Sequence, residues 1–74
     1  QRPLTRPQLI AFGKLVRDKR NAAGFSRVQL ARKANVSVAT IKVLETARHT
    51  PSQATLSRLI AVPELKLSWA DVPG

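Results

Sequence analysis

Two serines, Ser26 and Ser37, each stand one residue ahead of a short helical pattern, with only Asn35 and Val36 left to turn the chain between those patterns. Ser26 is placed to cap an orphan amide, with Gln29 three residues on as its capping-box partner. The spacing predicts a helix over Arg27 to Ala34, burying Val28, Leu30 and Ala31 in part. Ser37 then caps a second helix, about Val38 to Thr46, with Ile41 and Leu44 facing inward. Such a sharp break needs a residue that accepts a left-handed backbone, and Asn35 tolerates it better than most non-glycine residues. Two short helices crossing closely also need a small residue where they touch, which Ala31 supplies, while Val36, Ile41 and Leu44 act as apolar anchors.

The flanks read as further helices, so the predicted fold is all-α. Residues 1–8, with Pro3, Pro7 and the basic Arg2 and Arg6, form an extended arm, because each proline biases its predecessor away from helix. A helix from Leu9 to Ala23 follows, with Leu9, Phe12, Leu15, Val16, Ala22 and Ala23 on one side. Gly24 stops it, and the interior Gly13 weakens it by about 1 kcal/mol relative to alanine. Pro51-Ser52 opens another helix, striped by Leu56, Leu59 and Ile60, which Pro63 ends at or just before Val62. Residues 9–62 thus make the domain proper. In the apolar tail, 63–74, the alternation of Leu65, Leu67 and Trp69 suits an extended segment, whereas Ser68 suits the cap of a single turn at Trp69-Ala70-Asp71; these alternatives stay open. Trp69 is expected to cover the edge of the core, with a dimer contact as its functional alternative. The chain has no cysteine, so helix packing alone must hold this small fold together.

Charge narrows the partners. Thirteen Lys and Arg face four Asp and Glu, a net charge of +9, and such an excess draws polyanions. Nucleic acid leads; an anionic membrane surface is the rival. Membrane binding needs a basic amphipathic helix, and the first helix comes closest, but its apolar side is needed for the core. No apolar run approaches the roughly 20 residues that cross a bilayer. Catalysis has little to work with: the acids are Asp18, Glu45, Glu64 and Asp71, and the single histidine, His49, neighbours no nucleophile or carboxylate in sequence. No glycine-rich phosphate loop and no metal-ligand spacing is present. No catalytic residue, metal, cofactor or small-molecule ligand is therefore expected, and any enzymatic activity would belong to another domain of a longer protein.

The run from Phe25 to Glu45 resembles the lambda-repressor-like, or XRE-type, helix-turn-helix domains of phage and bacterial regulators. The resemblance is carried by Ser26, Gln29-Leu30-Ala31, Val36-Ser37, Ile41, Leu44-Glu45 and Pro51-Ser52, and extends from about Phe12 to Val62. Asn35 and Ala47 stand where the family usually has glycine. The resemblance implies a compact four- to five-helix bundle containing a helix-turn-helix, with a structural ion pair between Arg20 and Glu45. It implies base readers on the outer face of the second helix of the motif: Val38, Ala39, Thr40, Lys42 and Val43. Of these, Lys42 is the strong donor, suited to guanine O6/N7, while Val38, Ala39 and the Thr40 methyl pack on thymine methyls. Backbone contacts fall to Arg27, Ser37, Thr46, Arg48 and His49; for Arg2 and Arg6 a disordered tail is the favoured reading, and an arm that tracks a groove the alternative.

The expected function is sequence-specific binding of double-stranded DNA by a repressor-like transcriptional regulator, cytoplasmic and bacterial or phage-encoded. Members of the family usually bind as homodimers on two-fold sites, and Leu65, Leu67 and Trp69 are the expected contact surface. Apolar Val38, Ala39 and Val43 give the alternative, a protein-interaction module such as an antitoxin or coactivator. A DNA-binding fragment of a larger protein is the remaining option.

Overall fold

A computed structural model describes residues 4–72. Four α-helices follow one another: α1 (Arg6–Ala22), α2 (Arg27–Ala34), α3 (Val38–Glu45) and α4 (Gln53–Ile60). Two single 3₁₀ turns, Pro63–Leu65 and Trp69–Asp71, close the chain.

Every α-helix starts on a hydroxyl cap. Thr5, Ser26, Ser37 and Ser52 accept from the amides of Gln8, Gln29, Thr40 and Thr55 respectively. At Thr5 and Ser26 the glutamine side chain returns the bond, completing a capping box. The cap at Thr5 corrects the expected arm. Arg6, Pro7 and Gln8 are helical, because proline in a first turn lacks only an amide that has no helical acceptor anyway. Arg6 is correspondingly no arm residue: its Nη1 donates to the carbonyl of Ala47 at 3.0 Å. Arg2 lies outside the described residues.

The first three helices end alike. Gly24, Asn35 and Ala47 take positive φ of 78°, 58° and 58°, and the next amide reaches back each time: Phe25 to Arg20, Val36 to Ala31, and Arg48 to Val43. This double-bonded ending satisfies carbonyls that the helix leaves open. Asn35 and Ala47, the two departures from the family's glycines, both adopt the backbone a glycine would.

The core draws on all four α-helices. Phe12 and Val16 of α1, Leu30, Ala31 and Ala34 of α2, Ile41 and Leu44 of α3, and Leu56 and Leu59 of α4 form one buried cluster. Val28 does not join it; at 45% exposure it stands on the outer side of α2. Gly13 is the point where α1 meets α3. A Cβ there would lie 2.5 Å from the carbonyl oxygen of Leu44, so the missing side chain sets the approach of the two helices.

The tail also differs from expectation. Val62, Leu65 and Leu67 complete the same core, so the domain does not end at Val62, and Leu65 and Leu67 are not available as a contact surface. Pro63 begins a 3₁₀ turn that folds Leu65 back inward. Of the two readings left open for the end of the chain, the capped turn holds: Ser68 and Asp71 cap Trp69–Asp71, with Ser68 N donating to Asp71 Oδ2 at 3.0 Å. Trp69 itself is 49% exposed. Among the described residues no helix is long and apolar enough to cross a membrane.

Candidate nucleic-acid interface

The four helix starts and three helix ends leave α3 with one buried side, Ile41 and Leu44, and one outward side. Val38, Ala39 and Lys42 are exposed there, with Thr40 and Val43 half-buried at its edges. Helical spacing accounts for Ala39 and Lys42, which share a face turned away from Ile41 and Leu44; Val38 is exposed because it begins the helix.

Two clefts flank that face. One, of about 280 Å³, lies between α3 and the loop to α4; Ala39, Thr40 and Val43 form one wall, His49, Thr50 and Pro51 much of the other. The second, of about 220 Å³, is lined by Ala39, Lys42, Val43, Thr46 and Arg48. Ala39 and Val43 are the ridge between them. The structure thus gathers seven expected contact residues, Ala39, Thr40, Lys42, Val43, Thr46, Arg48 and His49, around one feature. Val38 stands exposed at the first turn of α3, beside the cap Ser37.

Hydroxyls near α3 are occupied by the helix itself. Ser37 Oγ and Thr40 Oγ1 share a 2.8 Å hydrogen bond, and Ser37 Oγ accepts from Thr40 N at 3.1 Å. Thr46 Oγ1 donates to the Lys42 carbonyl at 2.7 Å, closing the other end. Thr50 Oγ1 accepts from Leu4 N at 3.3 Å, which ties the start of the chain to the cleft's far wall. Thr50 and Thr55 were not among the expected residues, and Ser52 was expected only as the start of a helix; that both Ser52 and Thr55 line this cleft follows from how α4 packs beside α3.

Arg27 lies apart from both clefts, in an ion cluster at the start of α2. Glu45 receives Arg20 Nε at 2.7 Å, Arg20 Nη2 at 3.1 Å and Arg27 Nε at 3.2 Å. Its side chain is 1% exposed, against 12% for Arg20 and 39% for Arg27. The structure therefore brings Arg20 and Glu45 together and adds a third member that local sequence could not disclose, since α2 and α3 must pack before Arg27 meets Glu45. Two guanidiniums on one carboxylate leave a positive charge at the α2 N-terminus, where the helix dipole is also positive.

The remaining acids are engaged elsewhere among the described residues: Asp18 lies 3.9 Å from Arg17, Glu64 3.4 Å from Lys33, and Asp71 caps the last turn. No carboxylate lines either cleft beside α3, so no internal anion stands beside Lys42 and Arg48.

These features define a DNA-binding helix-turn-helix domain. A family model described as helix-turn-helix, of the XRE, lambda-repressor-like kind, matches residues 16–69, and the chain belongs to that family. No curated protein and no solved structure matches the chain.

Proposed function

We propose that the domain binds duplex DNA sequence-specifically by seating α3 in the major groove, and that it works as a homodimeric transcriptional regulator of the repressor kind. The observation that carries this reading is the outward side of α3: small apolar residues on the ridge, Lys42 and Arg48 beside it, and no carboxylate in either cleft. In this reading Val38, Ala39, Thr40, Lys42 and Val43 meet base edges. Lys42 donates to guanine, and Arg48, His49 and Thr46 hold the phosphates that flank the groove. Arg27 and the cap Ser37 add phosphate contacts at the two helix starts, where amide groups and dipole favour an anion. In a dimer, two copies of α3 read half-sites about one helical turn apart.

A salt series on random duplex DNA tests the reading. Log affinity is expected to fall linearly with log salt, by about 0.9 for each phosphate contacted. No detectable binding at low salt would sink it. Exposed Val38, at 41%, favours one competitor, a protein-docking surface on α3. That competitor predicts DNA binding too weak to select any motif, and a protein complex that survives raised salt.

A further inference from the structure

The outward side of α3 offers bases almost nothing but carbon. Val38, Ala39 and Val43 have no polar side-chain atom, and Thr40 shares its hydroxyl with Ser37 at 2.8 Å. Lys42 is the one donor on this surface. Base edges in the major groove consist of donors and acceptors, with a single apolar exception: the C5-methyl group of thymine. A carbon surface set against unpaired donors and acceptors leaves them unsatisfied, at a cost. Against a methyl it removes apolar area from water instead.

We propose that this surface recognises the C5-methyl group of pyrimidines in duplex DNA, in thymine and in 5-methylcytosine alike. The two bases carry the methyl on the same ring carbon and differ beside it, at C4, where thymine has an oxygen acceptor and cytosine an amino donor. Telling them apart requires a side chain that bonds at C4, and neither the Ala39 and Val43 ridge nor Val38 at the first turn of α3 has one. Methylation of cytosine therefore converts a disfavoured base pair into a favoured one. Charge complements the ridge: Lys42 and Arg48 line its second cleft, and all four carboxylates lie elsewhere. The proposal rests on the DNA-binding reading and names what that binding selects.

Four pools of random-sequence duplex test it, synthesised with thymine or uracil and with cytosine or 5-methylcytosine. Uracil is thymine without the methyl. The thymine/cytosine pool is expected to yield a motif containing thymines. In the uracil/cytosine pool, affinity for that motif is expected to fall by about four-fold for each contacted methyl. In the uracil/5-methylcytosine pool, selection is expected to return, with 5-methylcytosine in place of thymine at those positions. Equal affinity and the same motif with uracil would overturn the proposal while leaving DNA binding intact, whereas failure of every pool to bind at low salt removes DNA binding itself. Failure of 5-methylcytosine to restore selection overturns the shared-methyl reading. Val38→Ser, checked for folding by circular dichroism, is expected to bind more weakly and to shrink the thymine–uracil difference. Ala39→Ser, exposed on the ridge, serves the same purpose if Val38→Ser does not fold. A difference that persists at full size in both variants assigns the methyl effect to DNA shape and overturns the proposal.

Discussion

Arg20 holds Glu45 through two arms of its guanidinium, Nε at 2.7 Å and Nη2 at 3.1 Å, and spends the third, Nη1, on the carbonyl of Phe25 at 2.9 Å. One side chain thus joins the body of α1 to the end of α3 and to the turn that follows α1.

Removing Arg20 leaves a buried carboxylate with a weaker partner. Breaking a buried pair costs about 3–5 kcal/mol, and Arg27 Nε remains on Glu45, so Arg20→Ala is expected near 3 kcal/mol. Arg27→Ala, with a side chain 39% exposed, is expected to cost about 1 kcal/mol or less. Urea unfolding separates the two. Equal losses would contradict the ranking, and an unchanged melting temperature for Arg20→Ala would refute the pair's role.

Gly13→Ala opposes two effects. Alanine raises helix propensity by about 1 kcal/mol, but its Cβ would lie 2.5 Å from the Leu44 carbonyl oxygen, a backbone atom of α3. Overpacking of this kind costs about 1–3 kcal/mol, so the clash is expected to win. A variant with a higher melting temperature than the parent would mean that α1 and α3 separate without loss.

Ala47 occupies a left-handed backbone at φ 58° and is buried. Glycine relieves about 1–2 kcal/mol of steric cost, gives back up to about 1 kcal/mol in unfolded-chain entropy, and loses a buried methyl worth about 0.8 kcal/mol. Ala47→Gly is therefore expected to leave stability within about 1 kcal/mol of the parent. Ala47→Val, β-branched at positive φ, gains no such offset and is expected to destabilise by at least about 2 kcal/mol. Chemical denaturation that ranked valine above glycine would contradict this balance.

Within the proposed DNA-binding role, Lys42→Ala is expected to relax preference at one base pair and cost about 1–3 kcal/mol on the selected site. Arg48→Ala is expected instead to weaken all sequences evenly and to reduce the salt slope by about one contact. Selected-site sequencing distinguishes them. Unchanged preferences in Lys42→Ala would remove Lys42 from base reading.

Glu64 supplies a pH prediction. A hydrogen bond from its own backbone amide, helped by the nearby Lys33, holds its carboxyl below the usual carboxylate range. A depressed folded value means that its small contribution to stability is present above the unfolded value and lost as pH falls through the folded one. The carboxyl carbon of Glu64 is expected to titrate below an ordinary glutamate by NMR, and Lys33→Ala to shift the midpoint up only slightly, the backbone bond being the larger cause. A midpoint at or above the ordinary value would contradict it.

The sequence made α2, the turn at Asn35 and α3 legible because their signals are local: a hydroxyl cap, an amide three residues on, and one residue at ease with positive φ. The outward set on α3 was expected from the family resemblance; periodicity by itself placed only Ile41 and Leu44 inward and Ala39 opposite them. What escaped depends on distant parts of the chain. Pro7 reads as a helix breaker until Thr5 is seen to cap the turn that contains it. Gly13 reads as a weak point in α1 until the backbone of Leu44 is found against it. Leu65 and Leu67 read as a surface because nothing nearby says that α1 and α4 leave room for them, and Arg27 meets Glu45 only across two helices.

The burial of Leu65 and Leu67 in one cluster with Phe12 and Val16 also makes the helix-turn-helix depend on the chain that follows it. α2, the turn and α3 carry all their local signals, yet the core they share with the rest of the chain lacks its floor without Leu65 and Leu67. Closing a loop from α1 to the 3₁₀ turn at Pro63–Leu65 carries an entropy cost that the earlier, shorter-range contacts must wait to offset. Eight-residue helices are marginal alone, so the helices that give the domain its character owe their stability to residues that come after them in the chain.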